Sequence, residues 1–145
     1  MGGGSVAAFS AALAAALLEK LIPDPRTGRR LGAVRRECLG LLEQDAEAFA
    51  RVIRTTRHKD RRAFRTALQA ATEIPCRVFE HAQRLQATCR AAQRDVKPRF
   101  QSDLRCAMAV AMAAGESART LVHTNLAWLG DQAYTKRIRR RLQAA

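Results

Sequence analysis

The chain has 145 residues, which fits one domain because single domains commonly hold about 100 to 150 residues. Hydrophobic residues make up 48% of the chain, aromatic residues only 5%, and 29 positions are alanine. This composition favours closely packed helices and excludes an all-β fold. Lysine and arginine number 26 against 13 acidic residues, a formal charge of +13, which attracts polyanions without saying which one.

The longest apolar run, residues 6–18, is shorter than the roughly 20 residues that span a bilayer, and it has neither the basic segment nor the cleavage site of a signal peptide. We therefore expect no membrane helix and a cytoplasmic protein. The four cysteines form no CxxC motif and no cluster with histidine, so we expect free thiols, mostly in the core, and no metal site. They are Cys38, Cys76, Cys89 and Cys106.

Glycine and proline are sparse, which predicts long helices. We expect a first helix from Ser5, as its N-cap, to about residue 22, a second over residues 29–58, and a third over residues 60–94 that Pro75 kinks. Ser102 should cap a fourth helix ending near residue 129, and a short basic helix should follow from Asp131. The sequence thus predicts one all-α domain over residues 1–145, a bundle of four to five long helices that dimerises through its helix faces.

Asp45 interrupts the apolar stripe of the second helix, which carries Leu41, Leu42, Phe49 and Val52. A carboxylate directed at a core or an interface needs a cation, a network of donors or a ligand. A structural ion pair with one of the 22 arginines and a ligand-facing carboxylate both satisfy that need.

Asp103 lies in the first turn of the predicted fourth helix, where an acidic residue also complements the helix dipole. On its position alone, a structural role is the simpler interpretation.

Gly2, Gly3, Gly4 and Ser5 lead directly into the first helix. Glycines before a helix leave backbone N–H groups uncovered, and such a helix end can hold an anion. The segment is neither a P-loop nor a dinucleotide fingerprint, since no GKS or GxGxxG motif follows. The same pattern is also typical of a disordered chain end.

Four segments, taken in order, resemble the formiminotetrahydrofolate cyclodeaminase and methenyltetrahydrofolate cyclohydrolase family. They are GGGSVAA at residues 2–8, DAEAF at residues 45–49, ATEIP at residues 71–75, and the helix that begins with SD at residues 102–103 and reaches NL at residues 125–126. The family usually has Asn where Leu121 stands here, and an Asn-containing loop where this chain reads KPRF at residues 97–100.

The resemblance implies an enzyme of folate one-carbon metabolism. Such an enzyme closes 5-formiminotetrahydrofolate to the 5,10-methenyl form with release of ammonia, or hydrolyses the 5,10-methenyl form. It implies Asp45, Asp103 and His123 as catalytic residues, with Gly2, Gly3, Gly4, Ser5, Ser102 and Asn125 binding the substrate. It implies no metal and no cofactor, and a folate, polyglutamylated or not, as ligand.

His123 lies about 200° around the fourth helix from Asp103, so the two would share a site only with help from a partner chain. His58 and His81 are expected at the surface, and Trp128 and Tyr134 as packing or interface groups in preference to a pterin platform.

Two alternatives remain open at this point. A basic helical protein that binds nucleic acid explains the charge directly, although the basic residues are dispersed and form no recognised motif. A noncatalytic helical scaffold explains the departures from the family pattern.

Overall fold

The structure is a computed structural model that describes residues 2–58 and 60–145, and these residues contain five α-helices and no strand. Their bounds are α1 Gly3–Leu21, α2 Pro25–Arg57, α3 Arg61–Ala92, α4 Gln101–Leu129 and α5 Gln132–Ala144, with one turn of 3₁₀ helix at Pro98–Phe100. The prediction of an all-α bundle is confirmed.

Three of the helices begin at an aspartate whose carboxylate accepts a hydrogen bond from a backbone N–H in the first turn. Asp24 accepts from Thr27 at 2.7 Å, Asp60 accepts from Ala63 at 2.9 Å, and Asp131 accepts from Tyr134 at 3.1 Å. These caps satisfy donors that have no partner inside the helix. The predicted start of α5 at Asp131 is confirmed.

The two predicted serine caps are wrong. Gly2 is the N-cap of α1, and Phe100 is the N-cap of α4. Ser5 therefore lies inside the first turn of α1, where its hydroxyl bonds to α2 instead of to its own helix. Ser102 lies in the first turn of α4, and its side chain is exposed.

α1 is the central helix, in contact with α2, α3 and α4. It runs antiparallel to α2, because Ser5 meets Asp45 at one end of the pair and Glu19 meets Arg35 at the other. The buried faces of α1 and α4 are built mostly from alanine, which permits close approach of these two helices. The buried alanines are Ala7, Ala8, Ala11, Ala12, Ala14 and Ala15 of α1, with Ala107, Ala111, Ala114 and Ala118 of α4.

By length and composition alone, α1 is long and apolar enough to cross a membrane, with a mean hydropathy of 1.4 over its most apolar window. More than half of that window, 56%, is buried inside the bundle. A core helix surrounded by three others shows this pattern.

α3 continues through Pro75, which is buried within it. On this stretch α5 packs against α3, where Arg141 pairs with both Glu73 and Glu80. The Tyr134 hydroxyl also donates a hydrogen bond of 3.1 Å to Glu73. Burial is the main cause that raises the pKa of Tyr134 above its ordinary value. We call this group of four side chains the α5 clamp.

His81 is buried between α2 and α3, so its predicted surface position is wrong. Its Nε2 lies 3.2 Å from Oε2 of Glu37, which also pairs with Arg77. The hydrogen bond from the Arg77 guanidinium is the main reason that the pKa of Glu37 lies below its ordinary value. The sequence could not show this, because Glu37 and His81 lie on different helices. His58 is exposed, as predicted.

The four cysteines are free, as predicted, and three of them are buried. Burial raises the pKa of Cys38 and Cys76 to about 12 and that of Cys89 to about 11. These three side chains therefore serve as core residues and not as nucleophiles. Cys106 is exposed.

Candidate functional site

The N-terminal turn of α1 meets α2 at Asp45. The Ser5 hydroxyl, which is almost fully buried, donates a hydrogen bond of 2.9 Å to Oδ2 of Asp45. The Asp45 side chain is itself half-buried at the boundary of the bundle. The hydrogen bond fixes one carboxylate oxygen, and the second oxygen lies beside the backbone of Gly4.

Only one of the initial glycines is required by this geometry. A Cβ at Gly4 would overlap the Asp45 carboxylate, whereas a Cβ at Gly2 would lie 3.8 Å from Oδ2 of Asp45. At Gly3 the nearest atom would be Cδ2 of Leu121 on α4, at 3.5 Å. The last two distances are ordinary contacts. Gly4 therefore lets the carboxylate approach the helix backbone.

Asp45 lies next to the positive end of the α1 dipole. The N–H of Val6 is bonded to the carbonyl oxygen of Gly2, so the N–H groups of residues 3–5 precede the first intrahelical bond. The carboxylate complements this end electrostatically. An anionic ligand would be repelled by Asp45, and a neutral carbonyl group or a cationic centre fits better beside it.

Asp45 forms no ion pair with any lysine, arginine or histidine among residues 2–58 and 60–145. The structure thus does not contain the structural ion pair that the sequence left open. Its one side-chain partner is the neutral hydroxyl of Ser5. Although the chain has 22 arginines, none of those that the structure describes neutralises this half-buried carboxylate.

The remaining predicted residues lie on α4, at two different levels. Leu121 faces Gly3, and Asn125 follows one turn later, about 40° from the same direction. Asp103, with Ser102 beside it, lies about 27 Å from Leu121 toward the start of α4, at 1.5 Å per residue. The structure therefore groups Gly2 to Ser5 with Asp45 and Asn125, and separates Ser102 and Asp103 from them within one chain.

His123 is also outside this group. It is exposed, and it projects about 200° around α4 from Leu121, away from the side that faces α1. The expectation that His123 would need a partner chain remains a prediction. In the described part of the chain, no three His, Cys, Asp or Glu side chains lie close enough to hold a metal ion.

Phe49 is more exposed than its place on the apolar stripe predicted, and whether Trp128 is an interface group stays a prediction. Phe49 on α2 is 62% exposed and Trp128 on α4 is 63% exposed, whereas Tyr134 is buried in packing as predicted. The exposure of Phe49 follows from helix length. Because α1 begins at the level of Asp45, the part of α2 after Asp45 has no α1 beside it. The sequence could not show this overhang, because it depends on the register of α1 against α2, which the Ser5–Asp45 contact sets.

A comparison with protein families finds a match over most of the chain. The family model described as formiminotransferase-cyclodeaminase matches residues 26–144, which include Asp45 and the whole of α4 but not the initial glycines. No functionally curated protein matches the chain.

A crystal structure of formiminotetrahydrofolate cyclodeaminase from Thermotoga maritima superposes with a TM-score of 0.91. The identity is 21%, and the match covers 99% of this chain and 79% of that one. At this identity the likeness shows the fold alone. The family model spans most of the sequence, and the chain therefore belongs to the formiminotransferase-cyclodeaminase family.

Proposed function

We propose that this protein acts on a one-carbon derivative of tetrahydrofolate, either closing the 5-formimino group onto N10 with loss of ammonia or hydrolysing the 5,10-methenyl bridge. The single observation that carries the proposal is Asp45. It is a half-buried carboxylate with no cation beside it among residues 2–58 and 60–145, and it is held by Ser5 at the glycine-rich end of α1 in a chain of this family.

Both reactions pass through a cationic one-carbon centre, and this suits a fixed carboxylate. In ring closure, N10 attacks the formimino carbon, N10 loses its proton, the carbon–nitrogen bond to the leaving group breaks, and ammonia departs. Asp45 would accept the N10 proton and return it to the departing nitrogen. In hydrolysis, the same carboxylate would remove a proton from the attacking water. Neither path requires a metal or a cofactor.

Ser5 would act as a positioning residue. Its hydroxyl donates to one oxygen of Asp45, so the other oxygen is left to exchange the proton. The free N–H groups at the start of α1 would bind a carbonyl group of the pterin, because the charge of Asp45 disfavours an anion there.

We propose further that two copies of the chain associate through the exposed apolar face of α1. Val6, Phe9 and Leu13 lie on this face and are each about half exposed. A second copy would cover them and would bring Asp103 or His123 within reach of a site that one chain does not complete. Light scattering at micromolar concentration tests this proposal, and a monodisperse monomer would contradict it.

The activity itself is tested by incubating the purified protein with 5-formimino- and 5,10-methenyltetrahydrofolate and following the absorbance of the methenyl form. An increase with the first substrate identifies a cyclodeaminase, and a loss with the second identifies a cyclohydrolase. Absence of both changes would reject the proposed function. Because Leu121 places a hydrocarbon against Gly3 where the family usually has Asn, Leu121→Asn is the variant in which we expect a rise in turnover.

A further inference from the structure

Two cavities with cationic walls lie at the end of the bundle where α2 ends and α3 and α5 begin. The first, of about 470 Å³, is formed by α2 and α3, and Arg51 and Arg62 line it. The second, of about 600 Å³, is formed by α4 and α5, and its lining includes Lys136, Arg139 and Arg140. We call these five side chains the basic face.

Both cavities are turned away from α1. On α2, Arg51 projects about 120° around the helix from Asp45, which contacts the start of α1. On α4, Ala127 lines the second cavity and projects about 120° from Leu121, which faces Gly3. The cavities therefore lie on other sides of these helices than the start of α1.

An ion pair connects the two parts of the basic face. Arg65 of α3 bonds to Asp131 at the start of α5, with 2.5 Å between Nη2 and Oδ2. Asp131 also lines the second cavity, which therefore begins beside the first turns of α3. Across α3 and α5 the two cavities are about two helix spacings, roughly 20 Å, apart. Cations held on packed helices over this distance suit an extended anion better than a small one.

The cations of the basic face have no carboxylate partner. None of the five forms an ion pair with an acidic residue of residues 2–58 and 60–145. Each cavity contains one aspartate, but both carboxylates are already bonded: Asp60 caps α3, and Asp131 caps α5 and pairs with Arg65. The positive charge is therefore not compensated within the described chain, and it attracts an anion from outside.

The lining of the two cavities favours phosphate over other anionic partners. The large apolar side chains that are exposed on the described chain lie elsewhere, and none of them lines either cavity. A protein partner or a lipid surface would use such side chains as anchors. The lining residues also include no aromatic ring on which an unpaired base could stack. Arginine instead offers paired N–H donors that match phosphate oxygens.

We propose that the basic face binds the phosphate backbone of double-helical nucleic acid without reading its sequence. One strand of a duplex carries a phosphate about every 3.4 Å, so about six phosphates span the distance between the two cavities. Contacts to phosphates position a duplex but carry no sequence information. This interaction does not involve Asp45 and does not rest on the proposed function.

The probe is a fluorescein-labelled DNA duplex of about 20 base pairs, and fluorescence anisotropy follows its binding between about 50 and 200 mM salt. Each neutralised phosphate adds about −0.9 to the slope of log K against log salt, so five contacts predict a slope of about −4 to −5. Two unlabelled duplexes of unrelated sequence should compete equally. Absence of binding, or a strong preference for one sequence, would overturn the proposal.

Two combined variants test the cavities separately. Replacing Lys136, Arg139 and Arg140 together by Gln removes the cations of the second cavity, and the slope should become less negative by about 3. Replacing Arg51 and Arg62 together by Gln does the same for the first cavity, and we expect a change of about 2. All five side chains are exposed, so both proteins should fold, and circular dichroism checks this.

The matched control removes three charges from the first half of α2. Arg26, Arg30 and Arg36 are exposed and form no ion pair in the described residues. Replacing them together by Gln leaves the same net charge as the triple variant of the second cavity, but the slope should change by less than about 1. Equal losses in the two triple variants would show that net charge alone attracts the duplex, and that result would overturn the proposal.

Poly-L-glutamate distinguishes nucleic acid from an acidic polypeptide. At equal charge it should displace the labelled duplex at least about tenfold less effectively than unlabelled DNA does, because its flexible carboxylates do not present the fixed phosphate spacing of a duplex. Equal displacement would overturn the assignment to nucleic acid and would indicate an acidic polypeptide as the partner of the basic face.

Discussion

Asp45 and the α5 clamp place carboxylates in opposite electrostatic settings within one chain. In the clamp, Arg141 pairs with both Glu73 and Glu80. The hydrogen bond to Glu80 is the main cause that raises the pKa of the arginine, and the bond to Glu73 adds to it. Asp45 has no cation beside it in the described residues and accepts a bond only from a hydroxyl. Where a carboxylate serves to attach a helix, the chain provides its counter-charge.

The contrast is informative because cations are abundant. With twice as many basic as acidic residues, an arginine near Asp45 would be easy to supply, and it would neutralise the carboxylate and occupy the space at the start of α1. A charge that is positioned but not neutralised retains its capacity to stabilise a developing cation. The two settings therefore predict opposite consequences of substitution, on turnover in one case and on stability in the other.

Asp45→Asn should have the largest effect. The amide keeps the volume and can still bond to Ser5, but it removes the charge and the basicity, so turnover of the folate substrate should fall by about 10²-fold or more. The Tm should change by only a few degrees, because no buried cation loses its partner. Methenyl absorbance and calorimetry on the same preparation measure both quantities. Full activity in a folded variant would transfer the catalytic assignment to Asp103 with a partner's His123.

Gly4→Ala should come next. The added Cβ overlaps the Asp45 carboxylate, so the Ser5 bond must break or the carboxylate must move, and turnover should fall by about tenfold or more. Gly28→Ala is the matched control, since a Cβ at Gly28 meets no atom within 4 Å. This control should stay fully active and become slightly more stable, through the helix propensity of alanine. Equal activity of the two variants would show that the Gly4 contact is unimportant.

Arg141→Ala tests the structural side of the comparison. Removing the guanidinium leaves Glu73 and Glu80 facing each other on α3, and we expect a loss of roughly 1–2 kcal/mol, since the clamp is partly exposed and water screens it. That corresponds to a fall in Tm of several degrees, with turnover unchanged. Arg119→Ala is the control, because the pair of Arg119 with Glu116 is largely exposed, and it should change stability by less than about 0.5 kcal/mol. A turnover defect in a folded Arg141→Ala protein would contradict the purely structural role of the clamp.

The smallest expected effect is acid sensitivity at Glu37. Arg77 holds the pKa of this carboxyl below its ordinary value of 4.5, so its contribution to stability is present above that value and is lost as the pH falls through the lowered pKa. The Tm of the wild-type protein should therefore fall more steeply between about pH 5 and pH 3 than that of Glu37→Gln. Parallel curves for the two proteins would show that Glu37 does not contribute to the acid sensitivity.

Periodicity and capping residues predicted the helices because both act over one or two turns. They placed the start of α5 at Asp131, and they put Asp45 on the face of α2 that meets the bundle. They failed at Ser5, whose partner lies 40 positions away, and at His81, whose partner Glu37 is on another helix. Pairings of this kind depend on how the helices are placed against one another, and local patterns carry no information on that placement.

The same limit explains why the sequence predicted the residues of the candidate site but not their arrangement. Gly4 and Asp45 were each identified by their own surroundings in the sequence, but only the packing of α1 on α2 shows that the first must be glycine to admit the second. The exposure of Phe49 also required the register of these two helices. Asp103 resembled a site residue by motif, and the length of α4 alone places it about five turns from Leu121.

The alanine faces that join α1 to α4 also determine where this sequence can change. Between two helices in close contact, an added methyl group must separate the backbones, and a removed one leaves a void, so substitution is penalised in both directions. Substitutions on the outer faces of the bundle meet neither penalty, and a long side chain such as arginine fits there at little cost. The TM-score of 0.91 at 21% identity shows how much sequence change this backbone accommodates.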